Sequence, residues 1–203
     1  MKKILPIFSY IFHPIFIPLF ACIFYFFINE NYVSYSKYES YLILLQVLIL
    51  TFLVPITFFY LLRSLGKIDS IMVSELSQRK LPLIFQAILL LVLINKGTTY
   101  DRLPEMYFYF LAGFMSTVFA IILLFMKIKA SLHLLGIGSF LFFVIGISIH
   151  NQTNFLLTIA FTILLTGLIA SSRLEMQAHN YRELIIGFII GTIPQVVLWI
   201  FWL

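Results

Sequence analysis

Ser172-Arg173-Leu174-Glu175-Met176-Gln177-Ala178-His179-Asn180-Tyr181-Arg182-Glu183 is a polar island between two apolar runs, 155–171 and 184–203. A helix needs about 20 apolar residues to cross about 30 Å of hydrocarbon. The island therefore marks where the chain leaves a bilayer and re-enters it. Arginine, histidine and glutamate are costly at the edge of hydrocarbon, so a cluster of them is a candidate functional site. His179 and Glu183 lie four positions apart and share one face of a helix, where the carboxylate can accept the second N–H of the imidazole. An oriented histidine supplies a nucleophile or base, and a nearby arginine matches phosphate oxygens in bidentate fashion.

Outward from the island the chain repeats this pattern. Apolar runs fall at 7–28, 41–62, 81–95, 106–126, 132–149, 155–171 and 184–203. They predict an all-α polytopic membrane bundle of about seven helices, or six if the short third run is re-entrant. The runs are continuously apolar rather than alternating, which argues against a β-barrel. Composition agrees: of 203 residues 62% are hydrophobic and 10% charged, with a mean hydropathy of +1.07. A soluble domain carries roughly a quarter charged residues. The net charge of +5 then belongs to basic loops facing lipid headgroups rather than to nucleic acid. The aromatic residues read as lipid-facing and interfacial. One cysteine, Cys22, excludes a disulfide framework. The apolar stretch after Met1-Lys2-Lys3 is too long for a signal-peptide core and reads as a retained first span. We expect a single integral membrane domain over 1–203, multi-pass, in a bacterial inner (cytoplasmic) membrane.

Alternating the spans from Lys2 and Lys3 inward puts Arg63, Lys67, Arg79, Lys80, Lys127, Lys129, Arg173 and Arg182 on the inner side. Lys37, Lys96 and Arg102 stay outside, as the positive-inside rule favours. Three polar patches, 74–82, 127–133 and 172–183, then share one side, each pair separated by an even number of spans.

Each patch has a chemical and a plain interpretation. In the last, His179 is the candidate nucleophile, Glu183 its orienting carboxylate and Arg173 the phosphate ligand; alternatively these charges cap a helix at headgroup level. Glu175, Asn180 and Arg182 read as solvated. In the middle patch Ser131 can cap the helix that follows, whose free N–H groups can hold an anion. His133 can act as general acid or sit at the interface without a role. In the first patch Arg79 or Lys80, just before Pro82, can complete a phosphate pocket or anchor headgroups. His13-Pro14 and His150 have no carboxylate or cysteine at ligand spacing, so no metal site is expected. No glycine-rich nucleotide loop occurs.

These patches, in this order, resemble the three signatures of the type 2 phosphatidic acid phosphatase superfamily. Ser172-Arg173, five residues, His179, three residues and Glu183 match the third signature, with Glu in place of Asp. Ser131 and His133 match the second, with Ala130 replacing its Pro and Leu132 its Gly. Arg79-Lys80-Leu81-Pro82 is similar to the end of the first, whose upstream lysine is replaced by Met72 or Val73. The resemblance covers about the last 130 residues, making 71–203 the phosphatase-like core and 1–70 additional helices. It implies a phosphohistidine on His179, oriented by Glu183. It further implies that His133 protonates the leaving group and that Arg173, Ser131 and Arg79 or Lys80 hold phosphate. The implied substrate is a membrane lipid phosphate or polyprenyl pyrophosphate, with no metal or other cofactor. A catalytically inactive scaffold or subunit and a headgroup-binding transporter are the alternatives.

Overall fold

A computed structural model describes residues 5–29, 36–70, 75–98 and 101–203. Lys2, Lys3, Met72, Val73 and Ser74 lie outside the described residues. Helices account for the fold, and no strand occurs among the described residues. Among the described residues, six helical stretches are long and apolar enough to cross a membrane: Lys37–Ser64, Ser77–Lys96, Pro104–Phe125, Leu132–His150, Leu156–Glu175 and Tyr181–Phe201. The chain is a multi-pass integral membrane protein.

The first predicted span departs from a continuous helix. Helix α1 (Pro6–Ile11) stops before a 3₁₀ turn at Pro14–Phe16, and α2 (Ile17–Ile23) follows and ends in a π turn at Phe24–Ile28. Pro14 has no N–H for the carbonyl one turn back and pushes His13 into extended backbone, with ψ at 140°. The broken segment still traverses the bundle. Near its start the Ser9 carbonyl meets His133, and at its end Asn29 accepts a bond from Asn151, at opposite ends of one helix.

The second span is one bent rod: α3 (Lys37–Leu48), a π turn at Ile49–Leu53, and α4 (Val54–Ser64). Ser36 and Glu39 cap it reciprocally, each side chain bonding the other's backbone N–H. The third predicted run, short in sequence, begins earlier than its apolar residues. A 3₁₀ turn at Ser77–Arg79 leads into α5 (Lys80–Lys96), giving a stretch long enough to span without re-entry.

The remaining helices are α6 (Pro104–Phe125), α7 (Leu132–His150), α8 (Leu156–Glu175) and α9 (Tyr181–Leu198). α6 and α8 each end in a residue of left-handed backbone, Lys127 at φ 59° and Gln177 at φ 51°. Such a residue stops a helix sharply. Both reversals fall on the side that carries the three polar patches.

α7 is the most enclosed helix, packed by α9, α8, α6 and α2. Apolar burial alone gives little driving force between helices in lipid, so close backbone approach and interhelical hydrogen bonds decide the packing. Gly187 and Gly191 supply the approach: a Cβ on either would overlap the backbone carbonyl of Ser131 or Leu135. Gln195, fully enclosed on α9, donates to Ser139 Oγ at 2.7 Å and to the Tyr109 carbonyl at 3.3 Å, clamping α9 to α7 and α6. Each such bond stabilises by roughly 0.6–2 kcal/mol. These contacts fix the start of α9, and hence Glu183, against the start of α7.

Candidate functional site

The three patches meet. Arg79 Nη1 donates to the Ala130 carbonyl at 2.8 Å, Lys129 Nζ to the Ala178 carbonyl at 2.9 Å, and the Ser131 N–H to the Glu183 carbonyl at 3.0 Å. The first patch is thus bonded to the second, and the second to the third, around a cavity of about 370 Å³. Tyr10, His13, Arg79, His133, Arg173 and His179 line it. Most of the remaining wall is apolar, including Phe52 and Phe59 from the second span, Phe85 from α5 and Phe110 from α6.

Burial separates site residues from headgroup anchors. Arg173 is 1% exposed and Arg79 4%, so the protein encloses both guanidinium groups. Arg182 is exposed, as a headgroup-facing residue should be. Of the expected alternatives Arg79 or Lys80, the cavity takes Arg79 and not Lys80. Lys80 is exposed, its Nζ sits 5.3 Å over the Phe125 ring, and it does not line the cavity. Adjacent helical residues point about 100° apart, so only one of the two faces inward.

His179 lies in the turn between α8 and α9, and Glu183 lies in the first turn of α9. The His179 Nδ1–H donates to Glu183 Oε2 at 2.6 Å. Asn180 holds the other carboxylate oxygen through Nδ2 at 3.3 Å, while its own Oδ1 accepts the Glu183 N–H at 3.0 Å as the helix cap. Asn180 is exposed, as expected of a solvated residue, and also caps α9. Asn followed three residues later by Glu is the capping signature that could have identified it. Burial pushes the His179 pKa down to about 3, aided by the positive charges of Arg79, Arg173 and Lys129. The imidazole is neutral at physiological pH, with its Nδ1 proton engaged and its Nε2 lone pair available. Burial also lowers the pKa of Lys129, against the opposing attraction of Glu183.

His133, enclosed in the first turn of α7, has Nε2 at 3.0 Å from the Ser9 carbonyl. A carbonyl only accepts, so Nε2 carries the proton and Nδ1 is the nitrogen left for chemistry. Ser131 is buried and immediately precedes α7, but its hydroxyl does not cap the helix and has no hydrogen-bond partner. It does not line the cavity; its backbone instead joins α7 to α9. Ser172 bonds Ser9 hydroxyl to hydroxyl at 2.6 Å, tying the end of α8 to α1.

Two polar cavity residues come from the N-terminal segment, to which residue spacing alone gives no part in the site. Tyr10 and His13 sit at the break before Pro14. Pro14 and Pro18 within the first apolar run and Pro6 just before it, alongside Ser9 and His13, are the available signal. Irregular backbone at membrane depth is tolerated where it lines a cavity or is buried in protein. Among the described residues, no group of three histidine, cysteine or carboxylate side chains is placed to hold a metal.

No family model matches the chain, and neither a curated protein nor a solved structure matches it.

Proposed function

We propose that this protein is a membrane phosphatase of the type 2 phosphatidic acid phosphatase kind, removing phosphate from a lipid phosphate or a polyprenyl pyrophosphate. The observation that carries the proposal is a neutral, carboxylate-oriented His179 on a cavity that also holds His133 and two enclosed arginines. The apolar walls suit the chain of an amphiphile, and the guanidinium groups suit its phosphate.

In this mechanism His179 Nε2 attacks phosphorus while the bond to the leaving oxygen breaks. Arg79 and Arg173 neutralise the charge that develops on the non-bridging oxygens. A proton carried on His133 Nδ1 passes to the leaving oxygen. Lipid alcohol, or lipid monophosphate from a pyrophosphate, departs. Neutral His133 then takes a proton from water, whose oxygen attacks the phosphohistidine. Inorganic phosphate leaves and His179 is restored. Glu183 keeps the Nδ1 proton in place throughout.

The test is phosphate release from phosphatidic acid and from undecaprenyl pyrophosphate by the purified protein in detergent, alongside His179→Ala. Turnover by the wild type, abolished in the variant, with an acid-labile phosphoprotein trapped on rapid quenching, is the expected result. Equal background release from both proteins sinks the enzymatic reading. Substrate binding that Arg173→Ala weakens, without product, would replace it with a headgroup-binding one.

A further inference from the structure

The geometry points to His13 as a positioning residue for His133, acting from the broken first span; this rests on the role given above to His133. Two observations meet here. The break before Pro14 ends α1 at Ile11, which releases the Ser9 carbonyl from the i to i+4 ladder, and His133 Nε2 takes that carbonyl at 3.0 Å. Beside this bond the His13 ring stands edge-on to the His133 ring, with centroids 5.3 Å apart and planes at 84°. The hydrogen bond fixes one nitrogen of His133, and the ring contact limits rotation about that bond. Together they hold Nδ1 in one place.

His13 is itself anchored. Its Nδ1 accepts the Ile15 N–H at 3.4 Å, capping the 3₁₀ turn at Pro14–Phe16. Gly136 lets this segment close onto α7: a Cβ there would press on Ile17 and approach Pro14. The side chain therefore does two separable jobs. A cap needs only a short acceptor, which asparagine also supplies. Edge-on packing needs a ring, which phenylalanine also supplies. The positioning role belongs to the ring.

The experiment is nitrogen NMR of the full chain, labelled with ¹⁵N-histidine, in detergent micelles. The His133 signals are assigned by their loss in His133→Gln, and unchanged His150 signals at the far end of α7 mark a folded variant. The wild type should show His133 as one Nε2–H tautomer. In His13→Ala and His13→Asn that pattern should move toward averaged tautomers, and His13→Phe should restore it. In the phosphate-release assay kcat of His13→Ala should fall about tenfold to a hundredfold with KM little changed, because misplacing a catalytic group is felt in the transition state. A wild-type tautomer pattern for His133 in folded His13→Ala overturns the positioning role whatever the turnover. If the tautomer responds as expected but the wild type releases no phosphate, the phosphatase reading fails and the positioning role stands.

Discussion

His179 and Glu183 face each other across the first turn of α9, with Nδ1 and Oε2 2.6 Å apart, and Asn180 holds the second carboxylate oxygen. A carboxylate fixed at both oxygens can select one imidazole tautomer without moving during a reaction. It leaves Nε2 as the only nitrogen able to attack.

Glu183→Gln keeps the side-chain length but removes the charge, and its amide can present either N or O to His179. We expect kcat to fall about a hundredfold or more with KM nearly unchanged, as when an oriented base loses its partner. Glu183→Asp, one methylene shorter, should recover part of that loss. Steady-state phosphate release decides it; a Gln variant within about threefold of wild type would remove Glu183 from the mechanism.

Arg79 and Lys80 provide a contrast between neighbours. Arg79 lines the cavity and bonds the Ala130 carbonyl, whereas Lys80 lies over Phe125 outside it. Arg79→Ala should cost roughly 2.7–4 kcal/mol of transition-state stabilisation, about a hundredfold to a thousandfold in kcat/KM. Lys80→Ala should stay within about twofold in kcat/KM, because its side chain does not line the cavity. Equal losses in both variants would show that general positive charge near the membrane surface, not a placed guanidinium, governs activity.

The sequence carried the parts of this site that depend on spacing and parity. His179 and Glu183 four apart on one helix face, and three patches separated by even numbers of spans, required no knowledge of packing. What depends on helix rotation was not legible. The choice between Arg79 and Lys80 turns on where α5 starts, and a 3₁₀ turn at Ser77–Arg79 sets that rotation. Ser131 looked like a cap because it precedes a helix, yet its position is fixed from outside by Gly187 and the Glu183 carbonyl. The N-terminal wall was missed for another reason. Ligand spacing bears on His13 only as a metal ligand, whereas Pro6, Pro14 and Pro18 around it indicate a broken helix.

Acidification should reveal the buried state of His179. In the unfolded chain its imidazole takes a proton near pH 6.5, in the folded protein only at about 3. Between these values the unfolded state binds more protons, so the contribution is fully present above about pH 6.5 and folding stability is lost as pH falls below it. The midpoint of thermal unfolding should drop from about pH 7.5 to about pH 5, and drop less in His179→Gln. Nitrogen NMR at about pH 5 should still show a neutral His179. An imidazolium there would contradict the electrostatic account of the site, and an identical acid slope in the variant would assign the loss to other groups.

Gly187 tests the packing that aligns the two halves of the site. α9 approaches α7 so closely at this residue that a Cβ would overlap the backbone carbonyl of Ser131, which cannot move aside as a flexible side chain can. Gly187→Ala must therefore shift α9 outward, stretching the Ser131 N–H bond to the Glu183 carbonyl and drawing His179 away from His133. We expect a loss of about 1–3 kcal/mol in stability, typical of overpacking. The accompanying loss in kcat should exceed that of an equally destabilised variant remote from the cavity. Gly167, where a Cβ meets nothing within 4 Å, is the matched control: Gly167→Ala should unfold at or above the wild-type temperature, since alanine is the better helix former by about 1 kcal/mol. Wild-type turnover in folded Gly187→Ala would mean that the contact between α9 and α7 does not set the geometry of the site.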